Sequence, residues 1–391
     1  MNNTPLAASG HNYKKSDFIQ TVQCPSNFSI IYHTFFGRGM YLHTKAATQL
    51  DFFATPRPLS DKMPFPAALL NEFLQRGFIV EAGSSERTEA LNTFKAYVPQ
   101  TISGLCLNMS TACNFRCFHC IHFAGNDLDN RAPKPKKMSF ETTRAAIDWV
   151  ARGVMESGEP NMAINFSGGE PLMNWDTIER TLEYTRQNIQ PRLDVTFSLN
   201  TNASLITSDI AIKLKKHDVK MIVSLDGTGQ GNDRVRRTVS GRSTFNLIQR
   251  GFACLKASDN PVRAFHINLT SENYECLDDT LIDFLSQNGI LSVTLEPDLT
   301  DRLNQPVSLL VNKIMELRKA AQERGISITG YWERPFARII DSSPDRPAHF
   351  CRSMGGKTID VLPTAASMPV RTPISSSEPW ISLRRVIHPP H

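Results

Sequence analysis

Between residues 104 and 324, short apolar runs alternate with longer amphipathic stretches. The runs Gly104–Met109, Ala163–Phe166, Asp194–Leu199, Met221–Leu225, Ala264–Leu269 and Leu291–Leu295 read as strands. Helical periodicity fills the intervals near Phe140–Met155, Trp175–Gln187, Ser208–His217, Phe245–Ala257, Leu277–Gln287 and Val307–Arg324. Six βα units with short connections predict a parallel sheet with helices outside. That is fewer than a closed barrel needs, so the expected fold is α/β, a partial (β/α)6 TIM-type barrel. In such sheets ligands sit at the C-terminal ends of the strands.

The rest of the chain reads differently. Residues 1–26 are polar and predict a flexible arm. Phe28–His33 and Gly39–His43 predict two short strands around a Phe-Gly-Arg-Gly turn. Ala46–Phe53 and Phe65–Arg76 are helical, the second with Leu69, Leu70, Phe73 and Leu74 on one face, and Phe78–Val80 can close a small sheet. Residues 27–82 thus predict a winged-helix-like module that either packs on its neighbour or grips a peptide. Residues 83–100 read as a helix-prone linker, and 364–391, rich in Ser, Pro and Arg, as a disordered tail.

Composition narrows the class. At 40% hydrophobic and 21% charged the chain suits a soluble globular enzyme. A net charge of +5 without a long single-sign block gives no sign of nucleic-acid binding, while fitting an anionic cofactor or an acidic peptide. No run reaches the roughly 18 apolar residues of a membrane span, and Met1 to Lys15 lacks a signal-peptide core. The expected location is the cytoplasm, where thiols stay reduced, so eight cysteines point toward metal rather than disulfides.

Cys113, Cys117 and Cys120 follow the first strand in a C-x3-C-x2-C spacing. Three thiolates are one short of a closed zinc or [4Fe–4S] ligand set, so a cluster held here keeps one iron open to a small molecule. Other chemically suggestive residues also fall at strand ends: Ser167 to Pro171 after the second, Asn200 to Asn202 after the third, Asp226 and Gly227 after the fourth, Thr270 and Asn273 after the fifth. Gly168 and Gly169 let backbone approach a ligand, and Glu170 offers acceptors to an ammonium group. Ser198 and Asn200 share one side of their strand, and Arg236 can pair with a carboxylate. Together these groups suit an amino-acid ligand. Each also has a plainer reading: a strand-to-helix turn for GGEP, capping for Ser198, Asn200 and Asp226, and a solvated loop for Arg236.

The ordered set resembles the radical S-adenosylmethionine (radical SAM) superfamily, through C-x3-C-x2-C, GGEP, "SLNTN" at 198–202, "VSLDG" at 223–227 and "NDRVRR…GRSTF" at 232–245. It resembles the SPASM branch in particular, with its anaerobic sulfatase-maturating enzymes and ribosomal-peptide maturases. The resemblance implies a radical SAM core over 100–325 in which Cys113, Cys117 and Cys120 ligate a [4Fe–4S] cluster. S-adenosylmethionine (SAM) would chelate the open iron and be cleaved reductively to a 5′-deoxyadenosyl radical that abstracts hydrogen from a peptide or protein. Gly168, Gly169 and Glu170 match the motif that receives the SAM amine, and Ser198 and Arg236 match positions that hold its carboxylate, with Asn200 beside them. An electron donor such as a flavodoxin or ferredoxin is implied as a partner. His119 departs from the usual aromatic residue, though an imidazole can still stack on adenine. Alternatives are a sulfatase-type maturase, a degenerate cluster- or peptide-binding scaffold without turnover, and a Cys3His zinc site using His119 or His122.

Residues 326–363 resemble the start of a SPASM region, with Cys351 as a remnant auxiliary-cluster ligand. Beyond it the resemblance stops. Codons that can encode Thr364 to Pro373, read one base out of phase, spell Gly-Ser-Val-Tyr-Ala-Cys-Pro-Tyr-Thr, which would complete C-x13-G-x4-C from Cys351. The expectation is a frameshifted or truncated auxiliary domain with impaired turnover.

Overall fold

The computed structural model describes residues 11–24, 27–60, 63–96, 101–120, 136–238, 240–260, 262, 264–298, 305–333, 357–363, 369–370 and 381–382. The chain divides into two compact units: Met1–Val98 with Trp332–Phe350, and Pro99–Tyr331 with Cys351–His391.

The first unit contains β1 (Asn12–Lys15), β2 (Ile19–Gln23), β3 (Phe28–His33), β4 (Gly39–His43), α1 (Thr44–Ala47), β5 (Arg57–Pro58), α2 (Ala67–Gln75), β6 (Ile79–Glu81) and α3 (Glu86–Ala96). β2, β3 and β4 form one antiparallel sheet, and β1 pairs with both β5 and β6 in another. The expected flexible arm over 1–26 is therefore corrected, because it carries two strands. Their polar sequences hid them. In β2 only Ile19 is buried, and β1 draws its order from backbone pairing rather than an apolar pattern. Ile31, Leu50, Phe53, Leu70, Phe73 and Phe78 fill the core beneath.

The second unit holds β7 (Gly104–Ser110), α4 (Phe140–Ser157), β8 (Asn161–Gly168), α5 (Trp175–Asn188), β9 (Asp194–Thr201), α6 (Ser208–Lys216), β10 (Lys220–Ser224), α7 (Gly229–Val235) and α8 (Phe245–Ala257). It continues with β11 (Ala264–Leu269), α9 (Asp279–Gln287), β12 (Ser292–Pro297), α10 (Val307–Glu323), β13 (Ser327–Thr329) and β14 (Thr358–Val361). The sheet runs β13-β12-β11-β10-β9-β8-β7-β14 with every pairing parallel, an open α/β barrel.

Alternation along the strands creates two unlike faces. Leu105, Leu107, Ile164, Phe166, Phe197, Leu199, Phe265 and Ile267 are buried, and α4 packs on β7 and β8. The intervening positions are Asn165, Ser198, Asn200, His266 and Asn268, so the opposite face is polar. α4 shows how the local sequence sets the helices. Ser139 caps its start by accepting from the Thr142 N–H, Gly158 ends it at φ 74°, and Ala146, Ile147, Val150 and Val154 make its buried stripe.

The six expected strands are present, with two more at the sheet edges. β13 and β14 come from residues expected to begin the SPASM-like region, so the core sheet extends past 325. Both are too short for a periodic signal. Gly104 admits β14, since a Cβ there would lie 2.4 Å from Thr358 Oγ1. Cys351 lies outside the described residues, as does most of 364–391, of which Pro369–Val370 and Ile381–Ser382 pair antiparallel.

One buried group makes the first unit sensitive to acid. His33 is 2% exposed and its Nδ1 accepts from the Phe36 N–H at 3.2 Å. Burial, helped by the charge of Arg38, pushes its imidazole from 6.5 down to about 4. The unfolded chain therefore binds a proton first as pH falls. Stability present above the ordinary value of 6.5 should be lost progressively down to about pH 4, by up to about 3 kcal/mol. Thermal melts from pH 7 to pH 4 should show this slope and His33→Gln should flatten it; an unchanged slope in the variant contradicts the assignment.

Candidate active site at the strand ends

The loop after β7 has little regular structure of its own and is held from two sides. On one side is the turn after β8. The Gly169 N–H donates to Ser110 O at 2.8 Å and the Glu170 N–H to Ala112 O at 2.9 Å. Gly168 sits at φ 126°, where a Cβ would lie 2.5 Å from Ser110 O, and a Cβ on Gly169 would lie 2.4 Å from Ala112 O. The close approach these glycines permit is thus to the chain's own cysteine loop. On the other side, the Arg116 N–H donates to Arg237 O at 2.7 Å and the Phe118 N–H to Val235 O at 2.8 Å. Phe115, 1% exposed, anchors the span between them.

Glu170 ties neighbouring strand ends together. One carboxylate oxygen accepts from the Leu172 N–H (3.0 Å) and the Thr201 hydroxyl (2.7 Å), the other from the Asn202 N–H (2.9 Å). Burial pushes its carboxyl up, opposed by these donated bonds. Asn202 in turn donates to Asn114 Oδ1 at 3.0 Å, next to Cys113. Deeper on the polar face, the Ser198 hydroxyl donates to Asn165 Oδ1 at 2.9 Å. Asn200 Oδ1 is buried with no hydrogen-bond partner among the described residues.

A second cluster stands behind Cys117. Asp226 is fully buried and Arg236 is 5% exposed. Arg236 Nε lies 2.8 Å from one Asp226 oxygen, and its Nη2 donates to the other at 3.1 Å. Its Nη1 reaches Cys117 Sγ at 3.8 Å. Asp226 also accepts from the Asn268 N–H at 2.8 Å. His119 Nε2 is 3.0 Å from Asn268 Nδ2, and its Nδ1 is 3.6 Å from Asp226. Arg236 is therefore no solvated loop residue: it caps α7, a helix whose two glycines and polar residues carry no apolar period.

The family model described as the Radical SAM superfamily matches residues 107–284. The chain carries a radical SAM domain. It is similar to the radical SAM cyclopropyl synthase TigE of Paramaledivibacter caminithermalis, 25% identical over 363 residues that cover 88% of this chain and 76% of the relative. A cysteine-type anaerobic sulfatase-maturating enzyme of Clostridium novyi is 26% identical over 158 residues, 40% of this chain and 41% of that one. Among solved structures, native anSMEcpe with bound AdoMet and Cp18Cys peptide matches at TM-score 0.52 and 16% identity, covering 67% of this chain and 72% of that one. At that identity the match shows the fold, an open α/β barrel.

A radical SAM domain works with a [4Fe–4S] cluster and SAM; Cys113, Cys117 and Cys120 share one loop as free thiols, while among the described residues no three His, Cys, Asp or Glu side chains are already gathered as a metal site. The donor set is three cysteine sulfurs on a braced loop, and the buried Asn200 Oδ1 is an acceptor without a partner among the described residues. Burial pushes the Cys113 thiol up to about 12 and Cys117 to about 11, so iron must displace their protons. Burial alone would raise Asp226 too, but Arg236, then His119 and the Asn268 amide, hold it below the usual carboxylate range. Of the two histidines in the zinc alternative, His119 has Nε2 against Asn268 and Nδ1 3.6 Å from Asp226 without a hydrogen bond, and His122 lies outside the described residues.

Cys113, Cys117, Gly168, Gly169, Glu170, Asn202, Asp226 and Arg236 are linked by the contacts above, while Cys351 lies outside the described residues. Sequence reasoning missed the half-buried Asn165 and Asn268, which carry no local motif, and gave no role to the buried Asn232 at the head of the 232–245 motif. Thr270 and Asn273 instead brace the turn, Asn273 Nδ2 donating to Asp226 O at 2.9 Å.

Gly169→Ala should force the β8 turn off the cysteine loop, costing about 1–3 kcal/mol and lowering iron retention. Gly153→Ala is the contrast, since a Cβ there meets nothing within 4 Å in α4, and should stabilise by about 0.5–1 kcal/mol. Denaturant melts and iron assays compare the two; equal effects would refute the packing argument.

Proposed function

We propose that this chain is a radical SAM peptide or protein maturase. The observation that carries the reading is the direct docking of the three-cysteine loop on the Gly168-Gly169-Glu170 turn. In this reading Cys113, Cys117 and Cys120 hold the cluster, and SAM lies along the polar strand ends. When bound, these groups supply a carbon-centred radical able to take a hydrogen atom from substrate.

The chain's own residues orient the ligand. Gly168 and Gly169 shape the turn, and Glu170, with three bonds already accepted, keeps capacity for an ammonium donor. Asn200 Oδ1 accepts one ligand N–H or O–H. Ser198 and the remaining N–H groups of Arg236 face its carboxylate. The similarity to sulfatase-maturating enzymes supports a peptide or protein substrate, with residues 27–82 as a guide for it and a flavodoxin or ferredoxin as electron source. Cys351 is read as a remnant auxiliary-cluster ligand.

Anaerobic reconstitution with iron and sulfide, then dithionite and SAM, should release 5′-deoxyadenosine, and Cys117→Ala should abolish it. A cluster without SAM cleavage points to a degenerate scaffold; zinc retained in place of iron contradicts the reading. About four irons per chain are expected if the core cluster forms alone.

A further inference from the structure

We propose that Asp226 and Arg236 act as a charge couple that sets the reduction potential of the cluster held at Cys117. This rests on the reading that the three cysteines bind a [4Fe–4S] cluster.

The geometry is asymmetric. Two nitrogens on one edge of the guanidinium face Asp226, Nε at 2.8 Å and Nη2 at 3.1 Å, while Nη1 points at the Cys117 sulfur, 3.8 Å away. The positive group therefore stands between the carboxylate and the ligand sulfur. Both side chains are almost fully removed from water, where a charge acts far more strongly than at a surface. Donors to ligating sulfurs and local net charge are the protein's main means of tuning iron–sulfur potentials. Reduction adds one electron, and so negative charge, to the cluster. A guanidinium beside Cys117 favours the reduced state, and the carboxylate behind it weakens that preference.

The fold goes to some length to hold the couple. Asp226 ends the stretch after β10 and Arg236 caps α7, so this short helix brings the two together. Asn232 Oδ1 accepts from the Asp226 N–H at 3.1 Å, and its Nδ2 donates to Thr244 Oγ1 at 3.1 Å. Thr244 donates to Arg236 O at 2.8 Å, closing the circuit behind the pair. Asp233 in the same helix accepts from the Thr244 and Phe245 N–H groups, both at 2.9 Å, and so fixes α7 on the start of α8. This bracing positions Arg236 against the Cys117 sulfur through the chain's own contacts.

The test is potentiometry of the reconstituted protein without SAM, following the reduced-cluster EPR signal so that only loaded protein is read. Arg236→Gln should move the midpoint potential to more negative values. Asp226→Asn, which keeps the side-chain shape and leaves the guanidinium uncompensated, should move it to more positive values. The double variant should fall between the single ones. A merely structural role would lower cluster loading without opposite shifts, so shifts of the same sign, or none, in the loaded fraction overturn the proposal. Should either single variant fold poorly, Arg236→Lys gives a second reading. It keeps the charge but loses the fork, and should shift the potential less than Arg236→Gln; an equal shift overturns the charge argument. Failure of wild-type protein to assemble any cluster overturns both this proposal and the reading beneath it.

Discussion

The cysteine loop has no helix or sheet to stiffen it, yet a ligand set needs fixed geometry. Backbone contact supplies the stiffness. The turn after β8 approaches so closely that a Cβ at Gly168 or Gly169 would sit about 2.5 Å from loop carbonyls. From that approach follow the hydrogen bonds of Gly169 and Glu170 to Ser110 and Ala112. Glu170, set in place by the same turn, then reaches Thr201 and Asn202 and fastens β9 to β8. The opposite flank rests on residues 235–237 at the end of α7, so the loop is clamped between two segments far apart in sequence.

The cost of this arrangement is buried charge. Asp226, Arg236 and Glu170 are all nearly inaccessible, and removing such groups from water is expensive unless they are paired and hydrogen-bonded. Each of them is. Asp226 and Arg236 are paired by charge and one hydrogen bond, with the Asn268 N–H and Cys117 completing the contacts, although Asp226 Oδ2, Arg236 Nε and His119 Nδ1 make no hydrogen bond among the described residues. Glu170 is satisfied by local backbone and a threonine. Asn200 Oδ1, on the polar face of β9, is one of the buried acceptors left unmatched among the described residues.

Much of this was legible in the sequence because two independent periods agreed. Apolar runs marked the central strands, and the polar motifs fell at their C-terminal ends. What escaped had no such signal. β1 and β2 are polar strands ordered by pairing, and β13 and β14 are too short to show alternation. α7 is a glycine-containing helix defined by Asn232 and Asp233 rather than by an apolar stripe. The glycines of GGEP were legible as points of close approach, but the partner was the cysteine loop itself. His119 was legible as a family departure; its tie to Asn268 depends on β11, far along the chain.

The central claim is that Cys113, Cys117 and Cys120 leave one cluster iron open for SAM. EPR of the dithionite-reduced, reconstituted protein with and without SAM tests it most directly. The account predicts a reduced [4Fe–4S] signal whose shape changes when SAM is added, and loss of that signal when the three cysteines are replaced by alanine. A spectrum indifferent to SAM, or a cluster that survives replacement of all three cysteines, would contradict it.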